Sequence, residues 1–287
     1  MAIRLIALDI DGTLLGSNWK VSPANCAAIG EATKRGIEVA LVTGRRYDFA
    51  LPVAEQISAP LTMIVNNGAL VRTQDGHTHL RHLLPRETAH RVLQATLPWR
   101  ENTAVVFDRP IAKQVILEKI DWHDLAKVPY YLRNREFLAE MQPLENCLNE
   151  DGAEDPIQVM LTGKVQPIRE AEKHLRSVQF SSEFALAVTT YEDRDFGMID
   201  VLHPRITKGA TLSEWAALRS VAPEEILAIG DNHNDLEMLS FAGTPVVMEN
   251  SVPELKTRGW HVTRSNDDDG VAAAIHLFAL KETPECA

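Results

Sequence analysis

The sequence predicts an α/β protein with a Rossmann-like parallel-sheet core, interrupted by an inserted α/β domain. Apolar runs alternate with helical stretches near both ends of the chain, which is typical of βαβ units. Several of these runs end in a turn that carries polar residues and glycine, as strands buried on both faces of a parallel sheet do. Between the two ends this pattern is lost, which indicates an insertion.

The first third of the chain predicts strand, helix and strand in order. Ile3–Leu8 is an almost wholly apolar strand that leads into Asp9-Ile10-Asp11-Gly12-Thr13. Ser22 as N-cap and Pro23 as first helical residue predict a helix that ends before Gly36. The second strand, 37–42, ends in a Thr-Gly turn and completes a right-handed βαβ unit. A helix over 47–57, a strand over 61–65 and a hairpin within 69–84 are predicted to follow.

The middle of the chain predicts a separate sheet, and the last third returns to the first pattern. In the middle we expect helices at 86–97 and 167–178 and strands at 104–107, 114–117, 157–161 and 183–188. We then expect strands at 197–202, 225–229 and 245–248 and helices at 208–219, 234–241 and 269–280. These patterns predict a core domain of 1–84 and 190–287 and an inserted domain of 85–189.

Composition narrows the classes of function. The chain has 287 residues, a formal net charge of −11 and a pI near 5.4, which argues against nucleic acid or an anionic membrane surface as partner. No apolar run reaches the roughly 18 residues of a membrane span. The three cysteines, Cys26, Cys147 and Cys286, show no pairing pattern, as expected of free thiols in a reducing compartment. We therefore expect a cytoplasmic protein.

Carboxylates collect at the predicted carboxyl ends of strands, where open α/β sheets bind ligands. Asp9 and Asp11 follow the first strand, and Asp231 and Asp235 follow the strand at 225–229. Like charges this close are costly unless a cation or a shared proton relieves them. An oxygen-rich pocket of this kind suits Mg²⁺.

Two further groups fit a phosphoryl ligand. Thr43 and Gly44 follow the second strand and offer a hydroxyl and adjacent backbone N–H groups, and Lys208 offers an ammonium group near the start of a helix. Donors and a cation of this kind stabilise the charge of a phosphoryl group. Arg45 could meet a second substrate anion or form a helix-face salt bridge.

Four motifs occur in order along the chain: Asp9-Ile10-Asp11-Gly12-Thr13, Thr43-Gly44-Arg45, Lys208-Gly209 and Gly230-Asp231-Asn232-His233-Asn234-Asp235. This ordered set resembles the motifs of the haloacid dehalogenase (HAD) superfamily. The insertion between the second and third motifs resembles the large α/β cap, of the IIB type, found in Cof-type phosphatases. The resemblance implies an HAD core with an inserted cap, and it covers nearly the whole chain.

The resemblance also implies roles for the acids. Asp9 would be the nucleophile that forms an aspartyl phosphate, and Asp11 would be the general acid and then base. Mg²⁺ would be held by Asp9, the backbone carbonyl of Asp11 and Asp231, with Asp235 holding a water or Lys208. A dehalogenase would have no task for the acid at Asp11, because a leaving halide needs no proton.

The resemblance also implies which residues bind the phosphoryl group and a catalytic role for the Lys208 ammonium group. Thr43, Gly44, Lys208 and Asn234 would bind the transferred phosphoryl oxygens, and Lys208 would also take part in catalysis. One departure from the family pattern is Glu249, where the family usually has glycine. If that position requires a positive φ, Glu249 would be strained.

Together these features imply a Mg²⁺-dependent phosphatase for small phosphorylated metabolites, with sugar phosphates as the foremost class. Two alternatives remain open: a phosphomannomutase-like phosphotransferase, and a non-catalytic phosphometabolite-binding protein. We expect a monomer or a small homo-oligomer, with a small phosphorylated metabolite as its partner.

Overall fold

The computed structural model describes residues 2–123, 128–149 and 154–280. The chain divides into two compact units. The first, here called the core unit, comprises Met1–Arg81 and Ile206–Ala287; the second, the insert unit, comprises His82–Arg205. The boundaries predicted from sequence were 84/85 and 189/190, so the second boundary lies later in the chain than predicted.

The first segment of the core unit follows the predicted βαβ order. Ser22 caps the first helix, since its side chain accepts a hydrogen bond from the backbone N–H of Asn25. Gly36, with a φ of 81°, follows the helix in the left-handed region. The elements are β1 Leu5–Leu8, α1 Pro23–Lys34, β2 Glu38–Val42, α2 Tyr47–Ala54, β3 Thr62–Val65, β4 Leu70–Thr73 and β5 Thr78–Arg81.

The insert unit carries its own strands and helices. Two of its helices, α3 and α6, pack an apolar face on its sheet, around a core that includes Val92, Leu93, Ile168 and Leu175. The elements are α3 Arg86–Ala95, β6 Thr103–Val106, β7 Val115–Leu117, α4 Val128–Arg133, β8 Leu138–Glu140, α5 Asn146–Asn149, β9 Gln158–Gly163, α6 Val165–Ser177, β10 Ala185–Tyr191 and β11 Phe196–Leu202.

The last segment returns to the core unit. Its first helix begins directly after Thr207, whose hydroxyl accepts a hydrogen bond from the backbone N–H of Ala210. The elements are α7 Lys208–Leu218, β12 Ile226–Gly230, α8 Leu236–Phe241, β13 Thr244–Val247, α9 Pro253–Lys256, β14 His261–Val262 and α10 Gly270–Phe278.

The described part of the core unit forms one eight-stranded sheet in the order β14-β13-β12-β1-β2-β3-β4-β5. The strands from β14 to β3 run parallel, and β4 and β5 are antiparallel additions at one edge. β1 lies between β2 and β12, where the order of the strands along the chain reverses. Such a switch point is where open parallel sheets bind ligands.

The insert unit has a six-stranded sheet in the order β10-β11-β9-β6-β7-β8, in which only the β7–β8 pair is parallel within the described residues. β11 belongs to this sheet and pairs with β9 and β10. The assignment of the strand at 197–202 to the core was therefore wrong. The apolar sequence of β11 predicts a buried strand but does not say which sheet it joins.

The predicted fold class is confirmed: the chain is an α/β protein whose core is built on a parallel sheet. In β1 every side chain is fully buried, as expected of a central strand in a parallel sheet. None of the described helices is long and apolar enough to cross a bilayer.

Candidate active site

The candidate site begins where β1 and β12 end side by side. Leu8 pairs with Ile229 across the two strands, and the backbone N–H of Asp9 donates to the carbonyl oxygen of Ile229 at 3.0 Å. Asp9 and Asp231 each follow the end of one of these strands. Both are buried, with exposed fractions of 4% and 9%. The register of these two parallel strands thus brings together two aspartates that are 222 residues apart in the sequence.

Lys208 places a buried ammonium group between two of the acids. It is the first residue of α7, and its side chain is only 1% exposed. Its Nζ donates to Oδ1 of Asp9 at 2.6 Å and to Oδ1 of Asp235 at 2.7 Å. One cation therefore compensates two carboxylates that have almost no access to water.

Asp235 also shapes the loop that holds Asp231. Its Oδ2 accepts hydrogen bonds from the backbone N–H groups of Asp231 at 2.9 Å and Asn232 at 3.1 Å. Both oxygens of Asp235 are thus used, one for the loop and one for Lys208. A Cβ at Gly230 would lie 2.7 Å from the Asp235 side chain, so this close approach requires glycine.

Thr13 and Gly12 fix the carboxylate of Asp231 from the loop after β1. The Thr13 hydroxyl donates to Asp231 Oδ1 at 2.9 Å. Gly12 has a φ of 82°, and a Cβ there would come within 2.3 Å of Asp231 Oδ2. The loop therefore packs directly against the carboxylate, and no other residue type fits at Gly12 without displacing it.

The electrostatics of the cluster call for an additional cation. Burial raises the pKa of Asp9 well above its usual range, and Lys208 opposes this while the neighbouring acids reinforce it. Burial, with Asp235, raises the pKa of Asp231 to about 7. Burial alone would lower the pKa of Lys208, but the carboxylates of Asp235 and Asp9 raise it above its ordinary value. One ammonium does not compensate three buried carboxylates.

The donor set fits a hard divalent cation. Asp9, Asp231 and Asp235 each offer a carboxylate oxygen, and these three atoms lie within 4.8 Å of one another. Oxygen ligands from a few carboxylates are what Mg²⁺ takes in proteins. Asp235 is the weakest of the three candidate ligands, since both of its oxygens already accept hydrogen bonds. The Asp11 carboxylate is not part of this group; the sequence resemblance assigned only its backbone carbonyl to the metal.

The Asp11 carboxylate is held by Arg45. Arg45 donates from Nε to Asp11 Oδ2 at 2.7 Å and from Nη2 to Asp11 Oδ1 at 2.5 Å, in a bidentate pair. Arg45 Nη1 also donates to the carbonyl oxygen of Phe49 at 3.3 Å. Arg45, which lies in the loop between β2 and α2, thus forms a salt bridge to the loop after β1.

Apart from Lys208 on α7, the residues predicted to bind phosphoryl oxygens lie on the loops after β2 and β12. The Thr43 hydroxyl is buried and accepts from the backbone N–H of Arg45 at 3.1 Å. The side-chain amide of Asn234 donates to Oδ1 of Asn67 at 3.4 Å. A Cβ at Gly44 would lie 3.1 Å from the same oxygen. Asn67 therefore links the loop that contains Gly44 to the one that contains Asn234.

Asn67 and the Arg45–Asp11 pair are the parts of the site that were not predicted as such. Asn67 has a φ of 54°, and its backbone N–H donates to the carbonyl oxygen of Thr43 at 3.0 Å. Its position directly after β3, in an Asn-Asn-Gly turn at the same edge of the sheet, is a signal that could have identified it. Glu249, by contrast, is not among the residues with positive φ, so the strain considered there is absent.

Comparison with known proteins identifies the family. A family model described as haloacid dehalogenase-like hydrolase matches residues 6–275. The chain belongs to the haloacid dehalogenase-like hydrolases. The resemblance found in the sequence motifs is thereby confirmed, and with it the prediction of a hydrolase of the HAD phosphatase type.

Relatives with assigned activities align over nearly their whole length. A 5-amino-6-(5-phospho-D-ribitylamino)uracil phosphatase from Bacillus subtilis is 27% identical over 296 residues, covering 95% of this chain and 97% of the relative. A phosphoglycolate phosphatase from Methanothermobacter thermautotrophicus is 25% identical over 276 residues, covering 96% of this chain and 99% of the relative. These relatives hydrolyse chemically different phosphate esters, so the family alone does not name a substrate.

Solved structures of the family share the fold. The structure of a haloacid dehalogenase-like hydrolase from B. subtilis superposes with a TM-score of 0.79 at 23% identity, covering 95% of this chain and 99% of that one. A HAD subclass IIB sugar phosphatase, BT4131, gives a TM-score of 0.75 at 21% identity, covering 97% of this chain and 100% of that one. At these identities the likeness concerns the fold.

Proposed function

We propose that this hydrolase is a Mg²⁺-dependent phosphatase that acts on small phosphorylated metabolites, chiefly sugar phosphates, through an aspartyl phosphate. The observation that carries the proposal is the buried cluster of Asp9, Asp231 and Asp235 around the ammonium of Lys208. We further propose that the insert unit acts as the substrate-selecting cap and that the enzyme works in the cytoplasm as a monomer or small homo-oligomer.

In the first chemical step, a carboxylate oxygen of Asp9 attacks phosphorus, and the bond from phosphorus to the ester oxygen breaks. Lys208 holds Asp9 in place and favours its ionised form, since the ammonium lies 2.6 Å from Oδ1. The departing alkoxide takes a proton from Asp11, so that an alcohol leaves. Thr43, Gly44, Lys208 and Asn234 bind the phosphoryl oxygens.

In the second step, water attacks the phosphorus of the aspartyl phosphate, and the bond from phosphorus to Asp9 breaks. Asp11 accepts the proton of the attacking water and thereby returns to its starting state, while inorganic phosphate leaves. Both carboxylate oxygens of Asp11 accept hydrogen bonds from Arg45, so part of this bidentate pair must open for Asp11 to carry the proton that it transfers. Positioning of the reacting groups contributes a large part of the rate enhancement in phosphoryl transfer.

Asp9, Asp231 and the backbone carbonyl of Asp11 would hold the magnesium ion, with Asp235 orienting Lys208 and the loop. When bound, the ion supplies positive charge that offsets the negative charge of the phosphoryl oxygens and of the buried carboxylates. The preference for sugar phosphates draws support from the likeness to a solved HAD subclass IIB sugar phosphatase.

The test is metal-dependent phosphate release by the purified full chain from p-nitrophenyl phosphate, acetyl phosphate and a panel of sugar phosphates, with Mg²⁺ or with EDTA. Asp9→Asn removes the nucleophile at almost constant volume, and we expect it to lower kcat by at least about 10³-fold. Asp121→Asn, at an exposed aspartate of the insert unit, is the matched control and should keep full activity.

Each alternative has its own outcome in this assay. Activity that survives in Asp9→Asn would overturn the mechanism. Transfer to a second sugar hydroxyl, stimulated by a bisphosphorylated sugar, would identify a phosphomannomutase-like phosphotransferase. Tight binding of a sugar phosphate by the wild type, with no release of phosphate from any ester, would identify a binding protein.

A further inference from the structure

Trp19 is an exposed indole on the loop that follows the candidate nucleophile. It is 60% exposed, although tryptophan is usually among the more buried residue types. Its φ is 61°, in the left-handed region that bulky side chains rarely adopt. A large apolar side chain that is both exposed and held in an unfavourable backbone conformation points to function rather than to packing.

The turn that carries Trp19 is well anchored. The backbone N–H of Trp19 donates to the carbonyl oxygen of Gly16 at 2.9 Å, and that of Gly16 donates to the carbonyl oxygen of Lys20 at 3.1 Å. Next to them, the backbone N–H of Ser17 donates to Oδ1 of Asp267 at 2.7 Å. The exposure of the indole is therefore a property of an ordered turn with defined hydrogen bonds.

The indole lies beside the group proposed as general acid and base. The guanidinium carbon of Arg45 lies 5.9 Å from the centroid of the Trp19 ring, within the range of a cation–π contact. The same guanidinium forms the bidentate pair with Asp11. The Arg45 guanidinium thus contacts both the indole and the carboxylate that must reach the leaving-group oxygen.

This geometry constrains which part of a substrate can meet Trp19. Proton transfer requires the ester oxygen to come within hydrogen-bond reach of Asp11. The carbon skeleton attached to that oxygen then starts next to the Arg45 and Trp19 side chains. An indole face offers such a skeleton a rigid apolar surface with little entropy to lose.

We propose that Trp19 is a specificity-determining residue that packs against the ring of cyclic sugar phosphates and selects them over open-chain polyol phosphates. The inference rests on the proposed phosphatase function and names a substrate feature within it. A pyranose ring has a rigid face of C–H groups, whose contact with the indole removes apolar surface from water. A flexible polyol of the same length lacks such a face and loses more conformational freedom on binding.

The test compares matched ester pairs, glucose 6-phosphate with glucitol 6-phosphate and mannose 6-phosphate with mannitol 6-phosphate. We expect the wild type to favour the cyclic member. In Trp19→Ala, kcat/KM for the cyclic esters should fall about tenfold or more, mainly through KM, while the values for the open-chain esters stay the same. Trp19→Phe should restore most of the preference, because it keeps an aromatic face.

Two controls separate this role from others. Acetyl phosphate, whose leaving group has no ring, should be hydrolysed equally by wild type and Trp19→Ala if the Arg45–Asp11 pair stays intact. Leu218→Ala changes another residue of the core unit that is 60% exposed and should leave the ring preference unchanged. Thermal unfolding of each variant reports whether the fold is retained.

The outcomes that overturn the inference differ from those that overturn the proposed function. Phosphate release without a preference for cyclic esters, or a preference that survives in Trp19→Ala, would refute the role of Trp19 and leave the phosphatase function standing. An equal loss for ring and acetyl esters would show that Trp19 acts by positioning Arg45. No release from any ester, acetyl phosphate included, would refute the proposed function itself.

Discussion

At the scale of single residues, the site depends most on the ammonium group of Lys208. It lies within 2.7 Å of oxygens from two carboxylates whose side chains are 6% and 0% exposed. Transfer of such charges out of water is costly, and their mutual pairing, together with the backbone hydrogen bonds to Asp235, offsets the cost. Lys208 is therefore part of the folded structure as well as of the proposed chemistry.

Removal of this ammonium should destabilise the protein strongly. In Lys208→Met without added metal, Asp9 and Asp235 lose their shared partner while they stay buried, and we expect the free energy of unfolding to fall by about 3–5 kcal/mol. Chemical denaturation at pH 8 measures the change. Lys256→Met, at an exposed lysine of the same unit, is the matched control and should stay within about 0.5 kcal/mol of wild type. A loss below about 1 kcal/mol in Lys208→Met would contradict the prediction.

At the scale of secondary-structure elements, helix α7 fixes the position of the Lys208 ammonium group, because Lys208 is the first residue of that helix. The helix begins where the Thr207 hydroxyl accepts from the N–H of Ala210 at 3.0 Å, and that hydroxyl also donates to Glu237. Gly209 lets the helix approach α8 closely, since a Cβ there would lie 2.5 Å from the backbone of Glu237. The start of α7 is thus fixed both by its cap and by its contact with α8.

Two helix caps of similar chemistry should therefore differ in their effect on activity. Ser22→Ala and Thr207→Ala each remove a cap hydrogen bond and should each cost about 1 kcal/mol of stability. Only Thr207→Ala should also lower kcat, about tenfold, because it loosens the helix turn that holds Lys208. Denaturant titrations measure the stability and phosphate release measures kcat. Thr207→Ser, which keeps the hydroxyl, should retain the stability and the kcat of the wild type. A similar loss of activity in Ser22→Ala would show that general destabilisation is responsible.

At the scale of the whole molecule, the parallel core could be predicted because its strands are buried on both faces and read as apolar runs. The acids at the ends of β1 and β12 could be found for the same reason, since parallel strands end at one edge of a sheet. The partner of β11 could not be predicted, because an apolar run does not encode the sheet that it joins. The Arg45–Asp11 pair escaped prediction because it depends on side-chain reach between two loops.

The charge of the site also links the stability of the whole protein to pH and to metal. Asp231 has a pKa of about 7 in the folded protein, raised by burial first and then by Asp235, whereas in the unfolded chain its value is near 3.8. The folded state therefore binds more protons between these two values. By linkage, the stability that this group contributes is fully present below about pH 4 and is lost as the pH rises to about 7. Burial shifts the pKa of Asp9 in the same direction.

A divalent cation in the cluster would replace these protons, so its effect should grow with pH. We expect Mg²⁺ to raise Tm by several degrees at pH 8 and by clearly less at pH 6, where protons already offset part of the negative charge. Differential scanning fluorimetry with Mg²⁺ or EDTA at the two pH values measures this. Asp231→Asn should be more stable than wild type in EDTA at pH 8, because it removes one uncompensated buried charge, and should respond little to Mg²⁺. Equal Mg²⁺ responses of wild type at both pH values would mean that the ion does not compete with protons for this cluster.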